Sequence, residues 1–88
     1  MYRVFLVRIE THREKGLIAA IIDATNTSIE SYEFGSELTG ETGILESLQK
    51  TLNRIRTKWS VKIDCVTEIS LKPEDKNKVR AKFIVVTE

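Results

Sequence analysis

The chain has very little with which to do chemistry. Its 88 residues include one cysteine, Cys65, and one histidine, His12. A lone cysteine excludes an internal disulfide, and one residue of each kind leaves no Cys/His set for a structural zinc. Proline is as scarce, with Pro73 alone, and there are only four glycines. That excludes a Pro-rich or Gly-rich linker and low-complexity sequence. No run approaches the roughly 18–20 apolar residues needed to span a bilayer, so no membrane partner is expected. The net charge is only +1, which gives no global electrostatic signature of nucleic-acid binding.

What is present belongs to a folded domain: 41% of residues are hydrophobic and 31% are charged. A chain of this length has room for one core, so residues 1–88 are read as one domain. Such a core buries only about 60–65% of the surface that the unfolded chain exposes. With disulfide and zinc excluded, oligomerisation is the remaining source of added stability. Met1-Tyr2-Arg3 leads directly into an alternating strand pattern, without the apolar stretch of a signal peptide. A cytoplasmic protein is therefore expected, or a virus-encoded one acting inside a cell. The triplet Asn26-Thr27-Ser28 then reads as part of a turn.

Periodicity sets the elements. Tyr2 to Glu10 is rich in β-branched and aromatic residues, with Phe5, Val7 and Ile9 on one face and Tyr2, Val4 and Leu6 on the other. A polar connection, His12 to Gly16, has the glycine expected of a hairpin. Leu17 to Ala24 is a second strand, apolar on both faces apart from Asp23, and Ile29 to Phe34 is a third. Gly35 to Gly43 is irregular and leads into a helix with Thr39 or Thr42 as N-cap. That helix extends to about Lys58, with Leu45, Leu48, Leu52, Ile55 and Trp59 on one stripe. Val61 to Leu71 alternates, with Val61, Ile63, Cys65, Ile69 and Leu71 on one face. A charged turn at Pro73 to Asn77 joins it to a last strand, Val79 to Thr87. The expected fold is α+β, in the order β-β-β-α-β-β, with one amphipathic helix on a mainly antiparallel sheet.

Candidate chemistry is sparse. Glu10, His12 and Glu14 alternate and could face one metal, but beside Arg13 and Lys15 they read as a solvated hairpin tip. Cys65 is in phase with the core and has no histidine beside it to activate a nucleophile. Trp59 closes the helical stripe and reads as core cover, not as a base-stacking platform. The glycines of residues 35–43 lack the spacing and the Gly-Lys-Ser/Thr ending of a phosphate loop. No catalytic residue, metal or cofactor is expected.

The element order resembles the front half of the ribonuclease H-like fold: three antiparallel strands, a helix and a fourth strand. Members of that family carry a metal-binding Asp on the first strand, a Glu on the first helix and an Asp on the fourth strand. Glu46 and Asp64 correspond to the last two. The first strand has no acid before Glu10, and the family's later parallel strands and C-terminal acid have no counterpart. The resemblance thus implies a degenerate, non-catalytic relative.

Two features point to partners. Basic residues cluster on the helix (Lys50, Arg54, Arg56, Lys58) and around the last hairpin (Lys72, Lys76, Lys78, Arg80, Lys82). Of these, Lys50, Arg54, Lys58, Lys78, Arg80 and Lys82 are the candidate nucleic-acid contacts. The second feature is an excess of apolar residues. One helix covers one sheet face, yet Val4, Leu6, Ile18, Ile22, Ile84 and Val86 fall on the other. They are the candidate interface of a homodimer or of a protein partner. A small non-enzymatic binding or regulatory protein is the expected function, and nucleic-acid binding is the alternative.

Overall fold

The computed structural model of the protein describes residues 2–12, 14–24, 29–34, 40–75 and 78–88, with side chains throughout except at 40, 41, 73–75, 78 and 79. The strands are β1 (Arg3–His12), β2 (Gly16–Asp23), β3 (Ile29–Glu33), β4 (Ile63–Asp75) and β5 (Lys78–Thr87), and the helix is α1 (Gly40–Trp59). The order is the α+β order β-β-β-α-β-β read from the sequence. All strands join one sheet, ordered β3-β2-β1-β5-β4, and every neighbouring pair is antiparallel.

Alternation in β1, β2 and β5 sends one set of side chains toward the helix. Phe5, Val7, Ile9, Leu17, Ala19, Ile21, Ala81 and Val85 are essentially inaccessible to water. Trp59 caps this core with its ring 4.7 Å from that of Phe5. Gly16 closes the β1–β2 hairpin at a φ of 76°, a conformation that costs a residue with a Cβ about 1 kcal/mol or more. The His12 Nδ1 accepts hydrogen bonds from the backbone N–H groups of Glu14 (3.2 Å) and Lys15 (3.3 Å). His12 is thus occupied in holding the turn.

The helix begins earlier and is rotated relative to the sequence reading. Thr42 lies inside its first turn instead of capping it, and Thr39 lies outside the described residues. Leu45 is 64% exposed, whereas the adjacent Ile44 is buried. The buried stripe is Ile44, Ser47, Thr51 and Ile55, flanked by half-buried Leu48, Leu52 and Trp59. Ser47 and Thr51 escaped the apolar pattern because they are polar. Their hydroxyls donate to the carbonyls one turn back, Gly43 O at 2.6 Å and Ser47 O at 2.7 Å. Burying them therefore leaves no hydroxyl unpaired. The helix ends where Ser60 turns left-handed (φ 51°) and the Val61 N–H reaches the Arg56 carbonyl at 3.3 Å, a Schellman-type stop.

The edge strand β4 departs most from its expected pattern. Its pairing with β5 slips between Ile63 and Cys65, between Glu68 and Ser70, and between Pro73 and Asp75. Each slip inserts an extra residue and reverses the side-chain phase. Val66, Glu68 and Leu71 consequently lie opposite Val85, Phe83 and Ala81, on the helix side, while Cys65 and Thr67 lie opposite Val86 and Ile84. Cys65 is exposed, not a core residue. Ile69 occupies a slip and is 52% exposed. Bulges of this kind on an edge strand also discourage pairing with another sheet.

Candidate functional site

A helix about 10 Å wide cannot cover five strands spaced about 4.8 Å apart. The helix lies over β2, β1 and β5, and all of its packing is on one side of the sheet. Among the described residues nothing lies over the other side, which is open. Residues directly opposite in the register share a face, so pairing defines rows across that open side. The outermost row runs Val4–Val86–Cys65, and the next runs Ile29–Ile22–Leu6–Ile84–Thr67. A third runs Ser31–Ala20–Arg8–Lys82–Ser70, and the fourth Glu33–Ile18–Glu10–Arg80–Lys72.

The candidate interface residues Val4, Leu6, Ile18, Ile22, Ile84 and Val86 all lie on this face. None is buried: Val4 is 38% exposed and the other five are partly exposed. Tyr2 and Ile29 extend the patch, at 65% and 63% exposed. Ile29 was missed because its strand looked polar; only its pairing with Ile22 brings it beside the others. The face is graded, from apolar rows at one end to charged rows at the other. A depression of about 210 Å³ at the charged end is lined by Arg8, Glu10, Thr11, His12, Ile18, Ala20 and Ser31. Among the described residues the Arg8 Nε is buried without a hydrogen-bond partner.

The basic candidates do not form one surface. Lys50, Arg54 and Lys58 are exposed on the helix, whereas Arg80 and Lys82 belong to the open sheet face on the opposite side. The side chain of Lys78 lies outside the described set. Two of the helix cations are also engaged. The Arg54 guanidinium stacks 4.1 Å from the Tyr32 ring centre, and Lys58 pairs with Glu30, which also accepts a hydrogen bond from the Tyr32 hydroxyl. These contacts tie the helix to β3.

A smaller apolar cleft of about 180 Å³ lies on the helix side, between Ile44, Leu45, Glu68, Leu71 and Phe83. It exists because the helix leaves β4 uncovered. Glu46 is exposed on the helix and Asp64 is exposed on the edge strand. Among the described residues no three His, Cys, Asp or Glu side chains cluster closely enough to share a metal ion. The all-antiparallel sheet also lacks the parallel pairing that the ribonuclease H-like resemblance implies. Among the described residues no helix is long and apolar enough to cross a membrane. No family model, curated protein or solved structure matches the chain.

Proposed function

We propose that the protein is a small non-enzymatic binding protein, acting through the open face of its sheet and self-associating there. The supporting observation is the unbroken apolar row Ile29–Ile22–Leu6–Ile84, bordered by Val4 and Val86, with no layer above it among the described residues. Contiguous apolar surface of this kind is rarely left in water on a monomer. Burying it would release about 25 cal/mol for each Å² removed from water. Projected as five strands by about eight residues, the face spans on the order of 600 Å². That approaches the roughly 800 Å² per partner of a standard interface.

Nucleic-acid binding has weaker support. Its cations are divided between two sides of the molecule, and Arg54 and Lys58 already have partners. The experiment is sedimentation velocity on Leu6→Asp, Ile84→Asp and Lys50→Asp. The first two should dissociate the assembly, and Lys50→Asp should leave it intact because Lys50 is exposed on the helix, on the other side of the sheet. Equal behaviour of all three would count against the reading.

A further inference from the structure

We propose that the occupant of the open face is a second copy of this chain, related by a twofold axis that runs parallel to the strands close to β1. The proposal rests on the reading of the open face as an interface and adds its partner and orientation. Two gradients cross the face at right angles. Along the strands, Val4 and Leu6 give way to Arg8 and Glu10 on β1, as Val86 and Ile84 give way to Lys82 and Arg80 on β5. Across the strands, the fourth row is acidic toward β3 (Glu33, Glu10) and basic toward β4 (Arg80, Lys72).

Two copies stacked face to face on a twofold axis have few arrangements open to them. An axis across the strands reverses the first gradient and sets apolar rows against charged ones. An axis along the strands keeps each row against the same row and exchanges its left and right halves. Leu6 then meets Leu6, and Ile22 meets Ile84 of the second copy. In the charged row, Glu33 comes opposite Lys72 of the second copy, and Lys72 opposite its Glu33. The two ends of that row are therefore complementary to their rotated images. On the axis strand Arg8 and Glu10 face their own counterparts, so Glu33 and Lys72 carry the complementarity. Glu33 already pairs with Lys15 at 3.2 Å, yet its side chain remains 57% exposed, so it is accessible to a second cation.

The test is a charge exchange read by sedimentation equilibrium. Glu33→Lys and Lys72→Glu each place two like-charged pairs across the axis, so each variant alone should dimerise about tenfold more weakly than the unmodified chain. An equimolar mixture of the two should dimerise as strongly as the unmodified chain, because each supplies the charge the other lacks. The double variant Glu33→Lys/Lys72→Glu should regain its homodimer, which also controls for folding. Recovery in the mixture and in the double variant supports the orientation. Singles that dimerise normally, or a mixture or double variant that does not recover, overturn it. If Leu6→Asp still dissociates the unmodified dimer in that case, the open-face interface stands and only the axis is wrong. A strictly monomeric unmodified chain overturns both.

Discussion

Ile44 and Leu45 are adjacent, both apolar, and about 100° apart around the helix, so they report its rotation directly. Periodicity alone selects Leu45 for the core, and the structure selects Ile44, at 2% exposed against 64%. Ile44→Ala removes buried atoms and leaves a cavity, a change that typically costs about 2–5 kcal/mol. The lower half of that range applies here, because Ile44 borders the cleft beside Leu71 and Phe83 where neighbours can relax. Leu45→Ala removes a side chain that is mostly in water already and should cost less than about 0.5 kcal/mol. With a urea slope near 1 kcal/mol/M for a small domain, Ile44→Ala should lower the unfolding midpoint by about 2 M. Leu45→Ala should barely move it. A Leu45→Ala loss equal to or larger than that of Ile44→Ala would refute the helix rotation, and with it the placement of Ser47 and Thr51 in the core.

Three other perturbations test separate parts of the fold. Ser60→Gly should stabilise by about 0.5–1 kcal/mol in urea melts, since Ser60 holds a left-handed conformation (φ 51°) that glycine adopts without a Cβ penalty. Gly16→Ala should do the reverse at the hairpin, costing about 1 kcal/mol; no loss there would mean the turn has another geometry. Cys65 should react with a thiol reagent without denaturant in the folded Leu6→Asp variant, whose open face is uncovered, because the β4 slips place it outside the core. Protection until global unfolding would restore it to the core.

The sheet and the open face were legible in the sequence because β1, β2 and β5 keep an unbroken period of two. Phe5, Val7 and Ile9 turn one way and Val4 and Leu6 the other, with no insertion to disturb the count. Strand β4 was misread for the opposite reason. Alternation from Val61 to Leu71 looks regular, but each bulge shifts the phase by one, and only pairing with β5 reveals where. The helix was placed correctly and rotated wrongly because its buried centre includes Ser47 and Thr51, whose hydroxyls are satisfied inside the helix. A pattern that counts only apolar residues then drifts toward Leu45. The charged row Glu33–Ile18–Glu10–Arg80–Lys72 was not legible at all, since it draws on strands far apart in the chain and exists only through register.

An open sheet face of this composition needs another molecule to cover it, and a second copy is the first expectation. Light scattering on the unmodified chain, from low to high micromolar concentration, tests it most directly. The mass should rise with concentration to twice the 10.1 kDa of the chain. A mass that stays at 10.1 kDa throughout that range would contradict it.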